Sequence, residues 1–161
     1  AEGGDMFWLN ETTLAIGLGF RTNAEGVRQI KAMLEPKGIT VITTELPYGD
    51  GPAACLHLMS LLSLVDKDLA VVYPKYIATP FWQELEKRNF KFITVSDKEF
   101  LTQATNVLTL SPKVVIMPEN NPETKGRLEQ AGCRVYTYPC AELTFKAEGG
   151  PTCLTRPILR G

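Results

Sequence analysis

Asn106-Val107-Leu108-Thr109-Leu110-Ser111-Pro112-Lys113-Val114-Val115-Ile116-Met117, followed by Asn121-Pro122 and closing at Gly132-Cys133, is the passage on which the fold turns. Two apolar runs joined at Ser111-Pro112-Lys113 read as a β-hairpin. Asn121-Pro122 then opens a helix, because proline in the first turn gives up an N–H that would have had no partner there. Gly132 stops the helix, and a strand begins near Cys133. Strand, strand, helix and returning strand make a ββαβ unit.

The same order recurs upstream. Thr13-Leu14-Ala15-Ile16 precedes a helix start near Thr22 and a strand near Ile39; Leu69-Ala70-Val71-Val72-Tyr73 precedes a helix start near Thr79 and a strand near Lys91. The helix starts are 57 and 42 residues apart and the closing strands 52 and 42, which points to a repeated supersecondary unit. Thr22-Asn23-Ala24-Glu25 reads as a capping box; Val27, Ile30, Met33 and Leu34 share one face, and Pro36 with Gly38 ends that helix. Thr79 reads as the second cap, with Pro80 behind it. The α/β units run roughly over 5–47, 55–97 and 104–140 within a single domain, 1–161. A closing strand is expected over 153–160, centred on Leu154–Leu159.

The 161 residues, 44% hydrophobic and 22% charged, suffice for one domain with a real core. A net charge of −1 gives no electrostatic footprint for nucleic acid or an anionic membrane. The longest apolar stretch, Leu61–Val72, is broken by Asp66-Lys67-Asp68 and falls short of the about 18–20 residues that span a bilayer. The cytoplasm is the expected compartment. Cys55, Cys133, Cys140 and Cys153 match no metal or redox spacing, and a zinc site with one histidine would have to be cysteine-dominated, so free thiols are expected and no metal. The chain opens on Ala1, inside a motif, which reads as a piece of a larger polypeptide.

Chemistry concentrates in three phrases. Near the C-terminus stands Glu148-Gly149-Gly150-Pro151-Thr152-Cys153, where a glycine pair lets backbone approach a ligand and the cysteine projects beyond it. The chain's single histidine lies in Cys55-Leu56-His57-Leu58-Met59-Ser60, and Ala1-Glu2-Gly3-Gly4-Asp5 places two carboxylates around a second glycine pair. One cysteine and one remote histidine are the minimal pair for thiolate chemistry. Each residue also has a plain reading: Cys153 as a buried structural thiol, His57 as a satisfied histidine, Glu2 as a surface charge, Asp5 as a turn-bonding carboxylate. Gly17-Leu18-Gly19 lacks the third glycine of a dinucleotide fingerprint.

Together the phrases resemble the guanidine-modifying enzymes: arginine deiminases, dimethylarginine dimethylaminohydrolases and amidinotransferases. That resemblance, covering Glu2 to Arg160, implies an α/β propeller (pentein) of five ββαβ modules. About three would be present here, with the missing N-terminal part supplied from elsewhere. It implies Cys153 as nucleophile, His57 as general acid–base, Glu2 as the carboxylate that orients histidine or substrate, and Asp5 as a substrate contact. Arg21, in Arg21-Thr22-Asn23, would grip the α-carboxylate of an arginine-like substrate, and no cofactor would be needed. Asn106, in Ala104-Thr105-Asn106, matches an Ala-Ala-Asn phrase of the same relatives and carries no assigned role. Met59 stands where deiminases have His-Leu-Asp and dimethylarginine hydrolases His-Leu-Lys, which leaves the substrate open. An amidinotransferase would share these residues, and a non-catalytic binding protein of the same fold would lack the Cys–His pair.

Overall fold

The computed structural model describes residues 1–155. Within them, each repeat forms a three-stranded sheet. The first holds β1 (Met6–Asn10), β2 (Thr13–Leu18) and β3 (Thr40–Glu45), with helix α1 (Ala24–Leu34) between β2 and β3. After the short helix α2 (Leu58–Leu61), the second sheet holds β4 (Leu62–Asp66), β5 (Leu69–Val72) and β6 (Lys91–Thr94), with α3 (Thr79–Lys87) as its crossover. A short α4 (Asp97–Phe100) leads to the third sheet, of β7 (Leu108–Ser111), β8 (Val114–Pro118) and β9 (Arg134–Tyr138), with α5 (Pro122–Gln130) between its last two strands. In every sheet the hairpin pair is antiparallel and the pair joined through the helix is parallel. Two four-residue helices follow, α6 (Thr144–Ala147) and α7 (Pro151–Leu154).

The middle strands explain the continuous apolar runs in the sequence. A strand covered on both faces needs no polar alternation, and Leu69, Ala70, Val71 and Val72 are all buried. Neighbouring sheets share their cores. Phe7, Leu9 and Ala15 pack with Leu62, Ala70, Phe81 and Leu85, while Val65, Val71 and Ile93 pack with Val107, Val115 and Leu128. Buried hydroxyls also join the second and third sheets: Ser63 Oγ donates to the Thr105 carbonyl at 2.6 Å, and Thr109 Oγ1 to the Leu64 carbonyl at 2.6 Å.

Helix ends depart from expectation where tertiary partners recruit the capping side chain. Asn23, not Thr22, caps α1, accepting from the Gly26 N–H at 2.8 Å. Thr22 is buried and donates instead to Asp5, and Glu25 pairs with Arg28 and Gln29. Met33, expected on the buried face, is 62% exposed; Ile30 and Leu34 pack against the core of the first sheet. Helix α3 starts at Thr79 with Ala78 as its N-cap. Asn121 precedes α5, but its side chain binds Thr102 and the Pro118 carbonyl, so Glu99 caps that helix from a distance through the Glu123 and Thr124 N–H groups, both at 2.8 Å. The expected closing strand begins wrongly: Cys153 and Leu154 lie in α7, and 156–160 fall outside the described residues.

Candidate active site

The three units contribute from the same end. Glu2 and Asp5 lie just before β1, His57 before β4 and Asn106 before β7, each preceding the first strand of its sheet, while Tyr138 ends β9. The hairpin turns at the opposite end line a separate open cavity of about 730 Å³, which includes Trp8, Leu64 and Leu110.

Glu2 is the hub. Its carboxylate lies 2.7 Å from His57 Nε2 and accepts from Arg21 Nε at 3.1 Å. These two hydrogen bonds, that from His57 being the stronger influence, hold the Glu2 carboxyl below the usual glutamate range. A carboxylate can only accept, so it holds the proton of a neutral imidazole on Nε2. Nδ1 faces Cys55 Sγ at 3.6 Å. The imidazole rests on Gly4, where an added Cβ would come within 2.7 Å of His57 Cγ; at Gly3 the same atom would meet nothing within 4 Å. Gly4 is therefore the glycine of this pair that close packing requires.

Asp5 is fully buried. One carboxylate oxygen accepts from the Thr22 hydroxyl at 2.6 Å and the other from the Leu58 N–H at 2.9 Å, while Thr22 Oγ1 accepts from the Glu2 N–H at 3.0 Å. Burial pushes the Asp5 carboxyl up, against the opposing pull of those two donors. The expected substrate contact thus corresponds to a carboxylate with both oxygens occupied by the protein: Asp5 joins the Glu2 segment, the Arg21-Thr22 turn and the first residue of α2. Its turn-bonding role is the one the geometry carries.

Cys153 is exposed, and its Sγ accepts from Asn106 Nδ2 at 3.2 Å. Among the described residues no hydrogen bond joins it to the Glu2–His57 pair. Beside His57, the Cys55 thiol is pushed up by burial and drawn back down by the Arg21 guanidinium. The space beside Gly150 is also filled by the protein rather than left for a ligand. An added Cβ would lie 2.6 Å from the Tyr138 hydroxyl and 2.8 Å from Asn106 Oδ1. Asn106, marked in the sequence only by its Ala-Thr-Asn phrase, thus meets the cysteine turn together with Tyr138, for which the sequence carries no signal. No cluster of three metal-binding side chains occurs among the described residues, and no helix among them is long and apolar enough to cross a membrane.

Three strand–strand–helix–strand units bring a carboxylate-held histidine, an arginine and a cysteine to one end, and the relatives of this chain are the guanidine-modifying enzymes. The family model described as arginine deiminase matches residues 1–82 and 75–160, and the chain belongs to that family. Arginine deiminase of Mycobacterium avium is 27% identical over 187 residues, covering 99% of this chain and 46% of that protein. The chain thus spans about half the length of the curated relatives it matches. Among solved structures, a cysteine-to-serine variant of DDAH from Pseudomonas aeruginosa complexed with citrulline is 27% identical, with a TM-score of 0.70 over 86% of this chain and 49% of that one. A histidine-to-glycine variant of dimethylarginine dimethylaminohydrolase, in adduct with S-methyl-L-thiocitrulline, is 27% identical with a TM-score of 0.76 over 93% and 53%.

Proposed function

We propose that this chain carries the reacting groups of a hydrolase that cleaves the guanidinium C–N bond of an arginine-like substrate. In a five-bladed α/β propeller its three sheets would form consecutive blades, the other two coming from polypeptide outside residues 1–161. A guanidinium carbon is a poor electrophile because resonance spreads its charge, so the reaction calls for a strong nucleophile, and a thiolate beside a cationic substrate meets that need. Cys153 Sγ adds to the guanidinium carbon. His57 gives a proton to the departing nitrogen, the C–N bond breaks, and an amidino-cysteine remains. The same imidazole then takes a proton from water as the water oxygen adds to that carbon; the C–S bond breaks, the thiolate returns, and a ureido product leaves. Glu2 orients the imidazole and steadies its charged form. Arg21, tethered to Glu2 through Nε, offers the rest of its guanidinium to a substrate carboxylate. Asp5 positions the segment that bears Glu2 against the one that bears His57.

The observation that carries this reading is the 2.7 Å Glu2–His57 contact, with Arg21 on the same carboxylate and Cys153 at the same end of the sheets. Hydrolysis is preferred over amidino transfer because the family match is to deiminases. The test is steady-state kinetics on protein containing this chain, with arginine and Nω-methylated arginines and with ureido product as the readout. His57→Ala lowers kcat by about 10²–10⁴-fold, the usual range for loss of a general acid–base. Arg21→Ala chiefly raises KM, since a carboxylate clamp acts on ground and transition states alike. Wild-type turnover in His57→Ala would overturn the assignment.

A further inference from the structure

Asn106 is 6% exposed, in the turn just before β7. Its Nδ2 donates to Cys153 Sγ at 3.2 Å. Its Oδ1 is buried with no hydrogen-bond partner among the described residues. Burying a carboxamide oxygen unpaired opposes folding, so such a group in a native site calls for a function that holds it there. The surroundings hold this amide tightly. Gly150 leaves no room for a Cβ between the Tyr138 hydroxyl and Asn106 Oδ1. The Tyr138 hydroxyl is 2.7 Å from Thr144 Oγ1, Gln103 Nε2 donates to the Thr144 carbonyl at 3.3 Å, and the Cys153 N–H donates to the Gly150 carbonyl at 3.0 Å. The turn that delivers the sulfur joins the residues just before β7 through Asn106, whose Nδ2 meets the sulfur and whose Oδ1 lies against Gly150.

We infer that Asn106 is the positioning residue of the nucleophile: its amide N–H fixes the Cys153 sulfur and remains as a donor to it once the thiol proton has left. The inference rests on reading Cys153 as the nucleophile. A thiolate only accepts, whereas a thiol is also a weak donor. A carboxamide turned with nitrogen toward sulfur therefore matches the ionised form, and hydrogen bonds to a charged acceptor are roughly twice as strong as neutral ones. The opposite orientation would put Oδ1 on the sulfur and suit only the thiol. During the reaction the sulfur must be anionic before attack and again on release, so a donor fixed at 3.2 Å serves both ends of the cycle.

The experiment follows iodoacetamide labelling of Cys153 against pH, mapped by peptide mass spectrometry, in protein containing the whole chain. Asn106→Ala is expected to move the Cys153 labelling profile about one pH unit upward, the equivalent of about tenfold in rate on its rising limb. Asn106→Asp, which offers the sulfur only oxygens and a negative charge, moves it further; Asn106→Ser, which keeps a donor, falls between Ala and wild type. Labelling of Cys55 keeps its profile, and kcat for arginine falls while KM changes little. A merely structural asparagine would lower the melting temperature and speed labelling of both exposed cysteines without displacing the pH profile, and that result overturns the inference. If Asn106→Ala does not fold, the order of Asp and Ser against wild type decides the matter. Turnover that survives in Cys153→Ser would remove the proposed hydrolytic role instead, while the labelling profiles still report the Asn106–Cys153 contact.

Discussion

Replacing Asp5 tests how the site is held together. Its carboxylate is fully buried and serves two donors, the Thr22 hydroxyl at 2.6 Å and the Leu58 N–H at 2.9 Å. In Asp5→Leu both lose their acceptor, and at about 1–3 kcal/mol for each buried group left unpaired the loss is roughly 2–6 kcal/mol. Asp5→Asn keeps one oxygen for Leu58 but presents NH₂ to Thr22, leaving one hydroxyl proton unpaired, so its cost is about 1–3 kcal/mol before charge is considered. Charge gives that cost a pH dependence. Burial raises the Asp5 carboxyl above its ordinary value of 3.8 in the fold. Between the unfolded and folded values the native state holds more protons than the unfolded one, so wild-type stability falls as pH rises through that window. Asn has no such term. The penalty of Asp5→Asn is thus largest below the ordinary value and shrinks as pH rises through the folded one. Urea unfolding of wild type, Asp5→Asn, Thr22→Val and the double variant, from about pH 3.5 to about pH 7, reads both effects. Coupling of about 0.5–3 kcal/mol between positions 5 and 22 is expected. Additive losses, or an Asp5→Asn penalty that grows with pH, would mean that Asp5 does not act through Thr22 as a buried, raised carboxylate.

The remaining expectations concern the same end of the molecule. Gly150→Ala drives a methyl to within 2.6 Å of the Tyr138 hydroxyl and 2.8 Å of Asn106 Oδ1; displacing the Cys153 turn by about 1 Å should cost about 10²-fold in kcat with little change in melting temperature, and unchanged kcat would contradict the packing account. Gly4→Ala, whose methyl would meet the His57 ring at 2.7 Å, should lower turnover far more than Gly3→Ala, whose methyl meets nothing within 4 Å. Glu2→Gln removes a carboxyl held below its ordinary value of 4.5. Its stabilising effect is therefore complete above that value and lost as pH falls through the folded one. Because the Glu2 side chain is 41% exposed the difference is small, and a wild-type advantage that persists unchanged at the acid end would contradict it.

Much of the fold was legible because each unit repeats the same local chemistry. Proline in the first turn at Pro80 and Pro122, and Gly132 with φ of +83°, mark helix starts and a stop that no neighbour could easily override. What sequence could not show is which polar side chain a tertiary partner would claim. Thr22 has the chemistry of an N-cap, yet Asp5, 17 residues earlier, draws its hydroxyl into the site, and Asn23 takes over the helix. Met33 falls on the apolar periodicity of α1 and still faces solvent, since the sheet covers only the Val27, Ile30 and Leu34 side. The site residues Glu2, Arg21 and His57 were readable as phrases, and the structure joins them through one carboxylate. The second role of the glycines was hidden: Gly4 and Gly150 make room for His57, Asn106 and Tyr138, residues 12 to 53 positions away that no local pattern links to them.

The proposed chemistry turns on Cys153 forming the covalent bond. Mass spectrometry of protein containing this chain, quenched during turnover of an arginine derivative or after treatment with a haloamidine, addresses it directly. Cys133 and Cys140 are buried, and the Cys55 thiol is pushed up by desolvation, so the amidino mass should appear on Cys153 and be absent from Cys153→Ser, which should also lose turnover. An adduct on Cys55 instead, or full turnover in Cys153→Ser, would contradict the claim.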